Sequence, residues 1–315
     1  MVKESDVYLG VTVSDRGVRQ SIDATLNNRF KKAKDKAYQL RAMCRHPTFQ
    51  DIGWLKSVVT FFQACVSPTL LYSAETWYYA SEKFGDVIEA KYRALLIIML
   101  GIPKTTNYLS LLHEIDVMQA RHVIAARRIK YLNKMMNGHS NNHTRELVIH
   151  EYNIAPEDKK HETFVGHVSK LCMVYGIPDV AKSNDVDDNT IADAVREMNN
   201  KECWAVSMTG RLTVPRIFLR NSETCYQTWS WTESVAILKY RVGLLKLRGQ
   251  LKYLASDGDT RCRNEGCVEV ETTAHIMVCP AVWTQKPQNS TPRELARYLV
   301  DLNRERMSRF RSPIL

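Results

Sequence analysis

Apolar residues recur at intervals of three and four from Ile22 through Leu26, Phe30, Ala33, Ala37 and Leu40 to Cys44, which gathers them on one face of an α-helix. Ser21 is the candidate N-cap at its start. Ahead of it, Val7, Leu9, Val11 and Val13 alternate with other residues and run into Ser-Asp-Arg-Gly, which predicts one short strand followed by a turn. A second apolar stretch runs from Ile52 to Val66 and meets Pro68, whose missing N–H predicts a break or kink. A third helix is predicted over 84–100, closed by Gly101-Ile102-Pro103. A fourth carries Met118, His122, Ala125, Ile129, Leu132 and Met136 on one stripe. Residues 137–144 form a polar break. Farther on, Asp179, Asp185, Asp187, Asp188, Asp193, Glu197 and Glu202 reverse the local charge, which predicts a solvated connector with a short helix after Asn189. Helical periodicity resumes over 232–253, and a last amphipathic helix opens at Ser290 or Thr291 with Pro292 in its first turn.

These elements predict a mainly α chain. A short β segment occupies 1–20, a basic helical bundle 21–138, a helical connector with its acidic segment 139–230, and a small C-terminal module 231–315. No internal repeat is evident.

Composition adds a partner class. The 315 residues are 44% hydrophobic and 25% charged, a globular balance that disfavours wholesale disorder. Lys and Arg outnumber Asp and Glu by 44 to 34, a net +10, which favours a polyanion: nucleic acid first, an anionic membrane surface second. The excess is concentrated in the first helix, where Arg29, Lys31, Lys32, Lys34, Lys36, Arg41 and Arg45 face Asp35. Such a face either pairs with phosphates or is simply solvated. Arg121, Arg127, Arg128, Lys130 and Lys134 read as a solvated face. No apolar run reaches the roughly 18–20 residues of a spanning helix, and the N-terminus lacks a signal-peptide core, so the expectation is an intracellular protein of nucleus or cytoplasm without a membrane partner. In a reducing compartment Cys44, Cys65, Cys172, Cys203 and Cys225 read as separate buried thiols.

The other three of the eight cysteines fall together. Cys262, Cys267, His275 and Cys279 lie within eighteen positions, and thiolate and imidazole are the ligands that tetrahedral zinc prefers. Asn264 and Gly266 permit a tight turn between the first pair; Thr272 or Thr273 can cap a short helix that places His275 and Cys279 on one face. Four protein ligands leave no open position, so the metal would be structural. The competing readings are a coincidence of small buried thiols with a helical histidine, and a disulfide.

Beyond composition, several islands form a family pattern. "YLGVTVSDRG" with the basic helix after it, "LLYSAETW", "YRALLIIMLGIP" with "ARHVIAARRIKYLNKMM", and "YRVGLLKLRGQL" followed by the cysteine cluster occur in an order that resembles the C-terminal portion of the reverse transcriptase of LINE-type non-LTR retrotransposons. Ser73 stands where that family usually carries glycine in a leucine-leucine-tyrosine-glycine-x-glutamate-threonine-tryptophan run. Four residues separate Cys262 from Cys267 and three separate His275 from Cys279, where the family more often has two or three and four. Residues 145–230 match only loosely. The resemblance implies a palm end at 1–20, a thumb-like bundle at 21–138 and a zinc knuckle at 262–279.

It also implies nucleic-acid binding, to RNA, DNA or both, with the palm or the rest of the polyprotein as a further partner. In the family the paired aspartates that hold two magnesium ions precede the YLG segment, outside this sequence, and Asp187-Asp188 lacks flanking strand residues. The expectation is a chain that binds without polymerising alone. Its alternatives are an RNA-directed DNA polymerase fragment assisted by a palm from another chain, and a zinc-stapled structural module without nucleic-acid binding. Candidate phosphate contacts are Arg29, Lys31, Lys32, Lys36, Arg41 and Arg45, together with Lys239, Arg241, Lys246 and Arg248 beside the knuckle. Leu70, Leu71, Tyr72 and Trp77 read as core and Glu75 as an anchoring acceptor, with base stacking by Tyr72, Glu75 and Trp77 as the other reading. No nucleophilic triad and no phosphate-cradling glycine loop is present.

Overall fold

The amphipathic periods of the sequence become helices through most of the computed structural model, which describes residues 5–8, 11–14, 18–44, 54–77, 82–137, 142–182, 186–209, 230–241, 261–262, 267–270, 275, 279, 297 and 299–301. The described residues are mainly helical. Where alternation predicts a single strand, β1 (Ser5–Tyr8) and β2 (Val11–Ser14) pair antiparallel, with Tyr8 opposite Val11 and Ser5 opposite Ser14. The basic helix is α1 (Val18–Cys44), which buries Ile22, Leu26, Ala33, Ala37 and Cys44 and half-buries Phe30 and Leu40.

The break expected at Pro68 has a specific form. Helix α2 (Trp54–Phe61) widens into a π-helical turn at Phe62–Val66 before α3 (Ser67–Leu70), which carries Pro68 in its first turn. Proline has no N–H to give and its ring crowds the carbonyl four residues back, so a wider turn upstream relieves the clash without ending the helical path. Next come α4 (Ala74–Trp77), α5 (Glu82–Leu100), α6 (Tyr108–Ile115), α7 (Ala120–Asn137), α8 (Asn142–Ile154), a 3-10 turn at Glu157–Glu162, α9 (Phe164–Tyr175), α10 (Asp188–Thr209) and α11 (Trp231–Arg241). Gly101 ends α5 at φ +66°, a left-handed conformation that favours glycine; a Cβ there would lie 2.8 Å from Arg41 Nη2 and displace the guanidinium.

Contacts divide the chain into two compact units, each assembled from three stretches. The first comprises Met1–Ala37, Gln63–Leu96 and Asp116–Ala205. Much of its core is Ile129, Leu132 and Met135 of α7, Val165, Val168 and Cys172 of α9, and Ile191 and Val195 of α10. The region predicted as a solvated connector is therefore corrected: α10 runs for 22 residues and contributes to the core. Its acidic residues have structural work. Asp187 Oδ2 accepts from the amides of Asn189 and Thr190 at 3.1 Å, capping the helix, while buried Asn133 bonds both the carbonyl and the amide of Val186.

The second unit comprises Tyr38–Phe62, Ile97–Ile115 and Val206–Leu315. Trp54 of α2 meets Trp231 of α11 edge to face, with ring centroids 6.4 Å apart. Ser230 and Glu233 form a capping box: the Ser230 amide donates to Glu233 Oε2 at 3.0 Å and the Glu233 amide to Ser230 Oγ at 3.4 Å. Arg297 Nε donates to the other oxygen of Glu233 at 3.1 Å, fastening a C-terminal helical residue to α11. Residues 299–301 are helical as well and Leu299 is fully buried; the rest of the predicted tail helix, with its start at 290–292, lies outside the described residues.

Candidate functional site

Three arginines converge on the "LLYSAETW" corner between α3 and α4. Arg127 Nη1 donates to the Leu71 carbonyl at 2.9 Å, Arg128 Nη1 to that of Glu75 at 2.8 Å, and Arg29 Nη1 to that of Tyr72. A tight corner turns main-chain carbonyls away from helical partners, and charged donors from distant helices satisfy them. Arg29 is 5% exposed, and burial pushes its guanidinium below the ordinary value, opposed by Tyr72 and Glu75. Arg128 is 4% exposed and lies 4.6 Å over the Phe164 ring. Ser73 at the corner has φ +53°, a left-handed conformation that favours glycine.

These contacts revise several sequence readings. Arg29 is anchored inside the fold, whereas it was expected among the phosphate contacts; Arg127 and Arg128 are anchors, whereas a solvated face was expected. Leu70 and Leu71 are fully buried as core, but Tyr72 is 57% exposed. Glu75 accepts through its main-chain carbonyl, and its carboxylate Oε2 is buried without a hydrogen bond. The Trp77 side chain lies outside the described residues.

Lys31, Lys32, Lys34 and Lys36 of α1 are all exposed. Arg29, Lys32 and Lys36, spaced by three and four, line an open groove of about 590 Å³ with Ala64, Cys65, Pro68, Thr69 and Tyr72. Lys36 Nζ donates to Thr69 Oγ1 at 3.0 Å across it, and no carboxylate is among these lining residues. Of the other expected contacts, Arg41 is half-buried beside Gly101 and Lys239 is half-buried on α11. Arg241 ends α11 with its side chain outside the description, and Arg45, Lys246 and Arg248 lie outside the described residues.

The four residues of the cysteine cluster do come together. Their ligand atoms all lie within 4.8 Å of one another, close enough to share one metal ion. Cys262 Sγ and Cys279 Sγ are 3.7 Å apart, and Cys267 Sγ and His275 Nε2 are 3.3 Å apart. A disulfide needs about 2.05 Å between sulfurs, so the thiols are not bonded to each other. The first pair is set by the backbone: Arg261 and Val270 form an antiparallel bridge, and the Cys262 amide donates to the Glu269 carbonyl at 2.7 Å, closing the loop that carries both cysteines. Cys262 and Cys279 are buried and Cys267 is half-buried. His275 is helical; residues 263–266 and 271–274, with the expected turn and cap, lie outside the description.

A further polar cluster fastens α7, α9 and α10. His122, 2% exposed, bonds the Tyr175 hydroxyl through Nδ1 at 2.8 Å and Glu202 Oε2 through Nε2 at 3.0 Å. Gln119 Nε2 donates to the same carboxylate oxygen at 3.0 Å, and Arg121 also pairs with it. Burial pushes the His122 imidazole below its ordinary value despite Glu202, so the neutral ring donates from Nε2 and accepts at Nδ1. Burial acts upward on the Glu202 carboxyl, but the bonds from His122 and Gln119 outweigh it and leave the group below its ordinary value. Sequence reading found His122 as a packed histidine and missed its partners, which lie 53 and 80 positions away. The Ser230–Glu233 box was legible as Ser-x-x-Glu and was overlooked.

No protein-family model, curated protein or solved structure matches the chain. Among the described residues, no helix is long and apolar enough to cross a membrane.

Proposed function

We propose that the chain is a nucleic-acid-binding segment of a LINE-type non-LTR retrotransposon reverse transcriptase, with a thumb-like basic helix and a closed zinc knuckle. The observation that carries the binding role is the set of exposed lysines on α1, Lys31, Lys32, Lys34 and Lys36, of which Lys32 and Lys36 line a groove without lining carboxylates. Each lysine–phosphate contact releases condensed counterions, so the set binds backbone without reading sequence. The left-handed Ser73 supports the parentage, because it stands at the corner position where the family's motif carries glycine.

Zinc suits the cluster on donor chemistry and on size. Zn–S bonds of about 2.3 Å give a tetrahedral S···S edge of about 3.8 Å, against 3.7 Å between Cys262 and Cys279. Three thiolates and an imidazole complete the coordination shell, so the ion would hold the loop and take no part in chemistry.

The test is a salt titration of RNA and DNA binding. Affinity should fall linearly in log–log form as salt rises, and replacing Lys31, Lys32 and Lys36 together by alanine should weaken binding to all sequences and reduce the slope by about 2–3. A salt-independent affinity, or no binding at all, overturns the proposal and leaves a zinc-stapled structural module.

A further inference from the structure

The groove beside α1 is not lined by lysine alone. Tyr72 is 57% exposed at its edge, and the Arg29 guanidinium carbon lies 4.7 Å over the ring centroid. Arg29 is itself fixed by its bond to the Tyr72 carbonyl, so ring and guanidinium are held as one platform. Ala64 and Pro68 give the groove apolar lining, while Lys32 and Lys36 supply charge. The carbonyls of the corner are already bound by arginines, which fixes the backbone that carries Tyr72.

A duplex shows phosphates to a protein and keeps its bases stacked inside. An exposed aromatic ring in a basic groove has no use for such a surface, but it matches an unpaired strand, whose bases offer open π-faces and whose phosphates follow at regular spacing. With more than half of its surface exposed, the ring offers area on which a base can lie. We propose that this groove binds single-stranded nucleic acid by stacking one unpaired base on Tyr72 while Lys32 and Lys36 pair with the flanking phosphates. The inference rests on the nucleic-acid reading above and narrows it to strand state.

The full chain with its metal is titrated with labelled single-stranded RNA, single-stranded DNA and blunt duplexes of equal length. Tyr72→Ala should weaken single-strand binding by about 5- to 150-fold, the range that losing one base–aromatic stack gives, and change duplex binding by less than about twofold. Tyr72→Phe should bind as the parent does, since the ring is retained. Because the Tyr72 main-chain carbonyl survives both substitutions, the Arg29 anchor is kept. As a second readout, a 5-iodouracil-substituted single strand should crosslink on irradiation to the peptide containing Tyr72. A Tyr72-dependent loss on either the RNA or the DNA arm supports the proposal. Salt-dependent binding by the parent that Tyr72→Ala leaves unchanged, or lowers equally for duplex, overturns stacking alone; no binding by the parent overturns both readings.

Discussion

The corner at Leu71–Ala74 and the loop at Cys262–Cys267 pose one problem in two forms. Each turns the chain sharply, and each brings polar groups at the turn that need partners. The corner is fastened by Arg29, Arg127 and Arg128, which arrive from helices 43 to 56 positions away. In the proposed knuckle the loop would be fastened through an ion shared by its own two cysteines and by His275 and Cys279 close behind them. A guanidinium anchor needs the rest of its unit to be folded before it can act. A metal centre carries its fastening within eighteen positions and draws on an ion from outside.

The largest perturbation of this contrast falls on the loop. Stripping the metal with a chelator, or substituting His275→Ala, should abolish the ordered loop, since structural zinc in small domains contributes on the order of 10 kcal/mol at neutral pH. Mass spectrometry should find about one zinc per parent chain and none in the variant; a metal-free parent of equal thermal stability would sink the zinc assignment. At the corner, Arg128→Met keeps the length of the side chain and removes its donors. It should cost about 2–3 kcal/mol by leaving a buried carbonyl unpartnered and ending the contact with Phe164, read as a lowered urea midpoint with zinc content unchanged.

Acid should weaken the first unit in a graded way. The His122 and His167 imidazoles are both depressed in the fold, His167 to about 4, chiefly by burial and then, for His167, by Arg128 and Lys170. In the unfolded chain both take protons near their ordinary value, so the unfolded state binds more protons below it. The stability contribution of these neutral rings is present above about pH 6.5 and drains as pH falls toward 4. Equilibrium unfolding across that window should lose stability, and His167→Gln should flatten the loss. The smallest effect is a gain: Ser73→Gly removes the left-handed strain and should add about 0.5–1 kcal/mol, measured as a rise in Tm. A fall would remove Ser73 as support for the family resemblance.

The same contrast separates what was legible in the sequence. Helical periods placed α1, α5 and α7, because amphipathic spacing is a local property. The Cys/His cluster was legible because its four residues are neighbours in the chain. The arginine anchors were not, since nothing around Arg128 or Arg29 distinguishes a guanidinium aimed at a distant carbonyl from one in water. Charge reversal at α10 suggested a solvated connector because the acidic residues were counted by sign, while Ile191 and Val195 decide which face is buried. Tyr72 was read as core from its apolar neighbours; at a corner the alternation of faces breaks down, and the ring emerges.

The interleaved assembly of the two units bears on how the protein is made. The first draws its last stretch from residues up to Ala205, and the second draws its earliest from Tyr38 onward. No single cut in the polypeptide releases either unit whole, so limited proteolysis should yield nicked chains that stay associated before it yields stable fragments. During synthesis the first unit cannot close until its stretch up to Ala205 has emerged, and α1 must wait on the nascent chain with its apolar stripe unpaired.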